Sequence, residues 1–273
     1  MNPKIALIFD FDDTLAPDST TGLMLEMGFD APSFWEGDFV RMLASGWDQV
    51  PGFLHRLIEL SEEKGGLLTR DYLADWGRRL PLFEGVAGFF DQLRQFAQEQ
   101  APGVDLEFYL ISSGIDSVLR HTAIAQEFTE IFASDFHFNE AGRAVAAKRV
   151  VSFTDKTRYL FMISKGIIGE ETKKYYRVND RFDSFRIPFT QMIFVGDGGT
   201  DIPCFSLLKR KGGQRVAVYH GEHRASWKKA RGFVKDERVE IMEQADYSPH
   251  SPLMNSLKNL LLEIVEQLDA PDA

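Results

Sequence analysis

Apolar residues along this chain follow two rhythms. Short apolar runs at residues 5–9 (IALIF), 106–112 (LEFYLIS), 191–197 (QMIFVGD) and 215–219 (RVAVY) have the length and composition of strands buried on both faces. Between them the period lengthens. In residues 86–99 (VAGFFDQLRQFAQE), Val86, Phe89, Phe90, Leu93 and Phe96 recur at helical spacing. Strands alternating with helices predict an α/β core around a parallel sheet, with the ligand site beyond the carboxyl ends of the strands.

Residues 17–80 break the alternation. They hold helical patterns such as STTGLMLEMGF and VPGFLHRLIELSEEKG and no strand-like run, so a helical insertion after the first strand is expected. LPLFEGV (80–86) marks the return to the core, with Pro81 and Gly85 as punctuation. The predicted division is a core of residues 1–16 and 81–273 and a cap of residues 17–80. FHFNEAGRAVA (136–146) alternates around a turn and predicts a projecting hairpin. Residues 170–190 interleave basic and aromatic side chains, a composition that nucleic-acid surfaces also use, and are read as an exposed excursion packed on the core.

The 273 residues, 44% apolar, suffice for a large hydrophobic core. A net charge of −10 argues against general binding to nucleic acid or anionic membrane and favours a small-molecule partner. Cys204 is the single cysteine, which excludes an intramolecular disulfide and a cysteine zinc cluster. The opening apolar run is too short for a signal peptide and no segment is long enough to span a membrane, so a cytoplasmic location is expected.

Charge changes the picture at the strand ends. Asp10, Asp12 and Asp13 terminate the first run, and Asp197 terminates MIFV in GDGGTD (196–201). Two parallel strands would then present carboxylates at one edge of the sheet, where a hard cation such as Mg²⁺ would join them. Ser112 ends a third run with a hydroxyl, and Lys156 opens a helical pattern with a fixed positive charge; both suit a phosphoryl group.

Taken in order, Asp-x-Asp-x-Thr (10–14), strand-Ser (112), Lys (156) and Gly-Asp-x-x-x-Asp (196–201) closely resemble the motifs of the haloacid dehalogenase (HAD) superfamily. The resemblance covers roughly residues 4–15 and 81–250. It implies a Rossmann-like parallel-sheet core with a type 1 cap inserted after the first strand, and SSG with GDGGTD is most similar to the phosphoserine-phosphatase-like branch. It also implies roles: Asp10 as nucleophile, Asp12 as general acid and base, and Thr14, Ser112 and Lys156 as phosphate ligands. Mg²⁺ would be held by Asp10, the Asp12 carbonyl, Asp197 and Asp201. The acid at Asp12 implies a phosphatase acting on a small phosphorylated metabolite through an aspartyl-phosphate, with a phosphomutase or phosphotransferase as the alternative and a non-catalytic phosphate binder as the third. Where the branch's serine enzymes place a glutamate nine residues past the nucleophile, this chain has Ser19, which argues against phosphoserine as substrate.

Rival residues are few. Ser113 competes with Ser112 and Lys165 with Lys156; Asp13 reads as a surface or capping residue, HGEH (220–223) as loop, and Arg78 and Arg79 as a solvated helix face.

Overall fold

A computed structural model describes residues 2–221 and 223–269, leaving Met1, Glu222 of HGEH and residues 270–273 of the expected core outside the described residues. The strands are β1 (Lys4–Phe9), β2 (Asp105–Ile115), β3 (Glu130–Phe138), β4 (Ala144–Arg149), β5 (Met192–Gly196), β6 (Gln214–Tyr219) and β7 (Ile241–Gln244). They form one sheet in the order β4-β3-β2-β1-β5-β6-β7. All pairings are parallel except β3 with β4, which form the antiparallel hairpin expected near residues 136–146.

β1 lies at the centre because it is buried on both faces and both edges. Phe9 pairs with Leu110 of β2 on one side and Val195 of β5 on the other. The chain extends the sheet first through β2 and β3, then from the opposite side of β1 through β5 to β7, so β1 and β5 flank a topological switch point. Asp10 and Asp197 emerge beside each other at that point.

Strand periodicity divides the interior into two cores. Ile5, Leu7 and Phe9 feed one, with Phe108, Leu110, Ile193 and Val195. Ala6 and Ile8 feed the other, with Tyr109, Ile111, Met192 and Phe194. Helices Phe89–Gln100 and Pro252–Asp269 cover the first face, and Asp155–Lys165, Ile202–Lys211 and Arg224–Lys235 the second.

Residues 17–80 are helical among the described residues, including Ser19–Glu26, Gln49–Glu63 and Arg70–Arg79. Their apolar side chains, among them Met24, Phe34, Phe53 and Leu57, belong to the same cluster as Phe9 and Phe89. The cap therefore rests on the sheet core and has no separate one. The β3–β4 hairpin touches it: Thr69 bridges Arg143, and the Arg70 guanidinium lies 4.2 Å from the Phe138 ring centre.

The amino-terminal end of β2 carries a polar anchor. Glu107 accepts from Arg186 Nη1 (2.6 Å) and pairs with Lys4 Nζ (2.9 Å), which ties the 170–190 excursion to β2. Burial raises the Glu107 pKa, but hydrogen bonds from Arg186, Tyr109 and Lys4 outweigh it and leave the carboxyl below its ordinary 4.5. A depressed folded-state pKa contributes stability above pH 4.5 that is lost as pH falls through the lower folded value. Glu107→Gln is expected to cost about 2 kcal/mol near pH 7, with the gap from wild type narrowing below about pH 4.5 in urea unfolding curves. A gap independent of pH would contradict the ion-pair account.

Candidate active site

Asp10 follows β1 directly, and its N–H still bonds the Val195 carbonyl of β5 (2.9 Å). The chain then turns tightly. Leu15 N–H reaches the Phe11 carbonyl (2.8 Å), and Asp13 takes a left-handed φ of 55°, a conformation aspartate tolerates better than most residues. This turn leads into the cap, where Ser19 N–H donates to Asp12 Oδ1 (2.7 Å). The Gly114 backbone closes over Asp12: a Cβ there would lie 2.9 Å from Asp12 Oδ2.

Lys156, on the first turn of helix Asp155–Lys165, is fully buried. Its Nζ lies 2.8 Å from Asp10 Oδ2 and 2.7 Å from Asp201 Oδ1. Burial alone would lower its pKa, but Asp10 and Asp201 more than reverse that, so the ammonium stays charged. Asp201 Oδ2 accepts from Gly198 N–H (3.0 Å). The carboxylate comes this close only because β5 ends in glycine, since a Cβ on Gly196 would lie 2.4 Å from Oδ2.

Asp197 receives Lys229 Nζ at 2.5 Å. Burial raises the Asp197 pKa to about 6, with Lys229 opposing and Asp10 adding to the shift. Burial, then the Asp10 charge, raises Asp201 to about 7. Asp12 also sits well above the ordinary carboxylate range, from burial first and then the neighbouring Asp18 charge. Burial leads each shift and crowding adds to it: Asp10, Asp12, Asp13, Asp18, Asp197 and Asp201 gather against two ammonium groups, Lys156 and Lys229.

A divalent cation fits this imbalance. Carboxylate oxygens of Asp10, Asp197 and Asp201 lie within 4.8 Å of one another, an all-oxygen set suited to a hard ion. The cluster opens into a cavity of about 220 Å³ that also touches Ser113, Gly114 and Gly198–Thr200 from the core and Asp18, Thr20, Trp35, Gln49 and Phe53 from the cap.

No family model matches the sequence. The chain is 26% identical to an uncharacterized protein of Borreliella burgdorferi, over 92% of this chain and 94% of that one. By shape it is similar to a HAD-family hydrolase from Salmonella enterica serovar Typhi, at 17% identity and a TM-score of 0.57, over 88% of this chain and 67% of that one. It is also similar to a phosphoserine phosphatase carrying a phospho-aspartyl intermediate analogue, at 17% identity and a TM-score of 0.56, over 94% and 99%. The chain shares the fold of these two hydrolases.

Within this fold the residues singled out by the sequence occupy distinct positions. Asp10, Asp12 and Asp197 line the cavity, and Lys156 and Asp201 lie behind Asp10. Thr14 is fully buried with its Oγ1 unpartnered. β2 runs past Ser112 to Ile115 through a register shift, so Ser112 lies within the strand and not at its end. Its Oγ accepts from Gly114 N–H (2.9 Å), while Ser113 lines the cavity with an unpartnered Oγ. Lys165 points elsewhere: its Nζ donates to the Val178 and Asp180 carbonyls, both at 2.7 Å. Arg79 pairs with Glu26 and Asp75 on the cap surface. Asp13 faces a neighbouring cleft with His220, His223 and Lys229 as well as the main cavity.

Sequence reasoning missed Lys229, Asp18 and the cap aromatics Trp35 and Phe53. Lys229 belongs to a helix rich in lysine and arginine that reads as a solvated face, and only the fold brings it to Asp197.

Lys156 offers a sharp stability test. Lys156→Met would leave Asp10 and Asp201 facing each other without their shared cation. With metal chelated, urea unfolding at pH 7 is expected to show a loss of about 3–5 kcal/mol. Unchanged stability would mean that Lys156 does not hold this site together.

Proposed function

We propose that the protein is a Mg²⁺-dependent phosphatase that hydrolyses a small phosphomonoester through an aspartyl-phosphate on Asp10. One observation carries this reading. Asp10 is fixed at the carboxyl end of the central strand, with Lys156 bound to one of its oxygens, and it lines the same cavity as Asp12, a carboxyl that burial keeps toward its protonated form.

In the first step an Asp10 oxygen forms a bond to phosphorus as the ester oxygen departs, and Asp12 gives that oxygen its proton. In the second, Asp12, now a carboxylate, takes a proton from water as the water oxygen attacks phosphorus and releases Asp10. Lys156 keeps Asp10 oriented and offsets negative charge in both steps. Ser113 Oγ lines the cavity and is buried without a partner, a condition that a phosphate oxygen would relieve; Thr14 Oγ1 is also unpartnered but lies outside the cavity lining, and Ser112 Oγ accepts from Gly114 N–H and keeps its own proton free to donate. Asp10, Asp197 and the Asp12 carbonyl would hold Mg²⁺. Asp201 would complete the set or, with both oxygens already accepting from Lys156 and Gly198, buttress it. The cation supplies charge neutralisation between an anionic nucleophile and an anionic phosphoryl group.

The test is phosphate release from an aryl phosphate. Chelation is expected to abolish it and Mg²⁺ to restore it, with Ca²⁺ a poor substitute because its looser coordination misplaces the reacting groups. Full activity in excess chelator would overturn the reading.

A further inference from the structure

Resting on the phosphatase reading, we propose that the cap side of the cavity selects a phosphomonoester whose alcohol half carries an alkylammonium cation. The cap contributes Asp18, Thr20, Trp35, Gln49 and Phe53 to the cavity, and none of these is basic. Lys229 is the basic side chain among the lining residues, and Asp197 already engages it.

Two aromatic rings form the apolar part of this wall. Trp35 and Phe53 stand with ring centres 6.4 Å apart at 63°. Trp35 is well fixed. Its indole N–H donates to Thr21 Oγ1 (2.8 Å), and its ring meets Phe34 and Phe39 edge-on at 4.7 and 5.0 Å. It rides on a π-helical turn, Phe34–Asp38, a distortion that breaks the regular helix ladder and is frequent at functional sites. Inclined aromatic rings beside carboxylates are the surroundings that attract a substituted ammonium, through the negative potential of the ring faces.

Carboxylates without an ion-pair partner stand beside these rings. Apart from Asp12, which serves the acid–base chemistry, Asp13 and Asp18 make no ion pair among the described residues. Asp18 is held in position by its role as helix cap, accepting from Thr21 N–H at 2.7 Å. Bound substrate would add the negative charges of its phosphoryl group to this already acidic cavity. An ammonium on the leaving group offsets that charge; a carboxylate or second phosphate there would worsen it, with no basic side chain from the cap to receive it. A carboxylate-bearing leaving group such as serine is disfavoured on the same grounds, independently of Ser19.

The experiment compares kcat/KM for phosphocholine with that for its carbon isostere, in which a tert-butyl group replaces trimethylammonium. The two differ in charge and hardly in shape. Wild type is expected to prefer phosphocholine by at least about tenfold. Trp35→Leu and Asp18→Asn should each bring the ratio to about threefold or below, and Trp35→Phe should retain most of it. Asparagine still caps a helix, so Asp18→Asn tests the charge and not the fold. Because each protein supplies its own ratio, a general loss of activity cancels.

A wild-type ratio near one would overturn the proposal while turnover of an aryl phosphate left the phosphatase reading intact. If no ester is hydrolysed, the phosphatase reading fails, and calorimetric titration with choline and its neutral carbon analogue decides the subsite. Saturable binding of choline alone supports it; equal binding, or none, overturns it.

Discussion

Asp10→Asn is expected to reduce phosphate release on the order of 10⁵-fold, to background, because it removes the atom that bonds to phosphorus. The substitution is nearly isosteric, and the backbone bond from Asp10 N–H to Val195 is untouched. What changes beyond the chemistry is charge. Lys156 would lose one of its two carboxylates and keep Asp201, so a modest shift in stability should accompany the loss of turnover. A variant that folds and retains a tenth or more of wild-type activity would remove Asp10 from the nucleophile's place.

Asp12→Asn should produce a divided result. Alkyl phosphates need a proton on the departing oxygen, so their turnover is expected to fall by about 10²–10⁴-fold. Aryl phosphates leave readily without that proton, so their first step should largely survive. The second step still lacks its base, and phosphorylated enzyme should build up. The fold should tolerate the change, because the Ser19 N–H that bonds Asp12 Oδ1 can bond an amide oxygen equally well. A uniform loss on both ester types would assign Asp12 a binding role in place of the acid–base one.

What the sequence made legible follows from where each signal resides. β1 and β5, and the central parts of β2 and β6, are apolar runs because both their faces are buried, and the aspartates that follow β1 and β5 stand out against them. Strands toward the sides of the sheet lack that contrast. β7 (Ile241–Gln244) is four residues of mixed polarity, and β3 extends back to Glu130, well before the alternation that marked its hairpin. Helix Phe89–Gln100 starts later than its pattern, after a turn at residues 84–88 whose Gly88 caps it.

The site shows the same division. Asp10, Asp12 and Asp197 are legible because a carboxylate at the end of a buried strand is costly without a purpose. Lys156 is legible only through the order of motifs, since nothing in TDKTRYLF distinguishes a buried lysine from a surface one. Ser112 and Ser113 are adjacent, and a register shift in β2, invisible in the letters, places Ser113 on the cavity. Trp35 and Phe53 read as ordinary helix-face apolar residues. Their place at the cavity arises from how the cap lies on the core, and no local pattern encodes it.

The measurement that bears most directly on the central claim is rapid acid quenching of the Asp12→Asn protein mixed with phosphorus-labelled aryl phosphate and Mg²⁺, followed by peptide mapping. Label is expected on Asp10, approaching one per chain, and absent from an Asp10→Asn control treated in parallel. Equal labelling of the two variants, or label mapped to any residue other than Asp10, would contradict the aspartyl-phosphate mechanism.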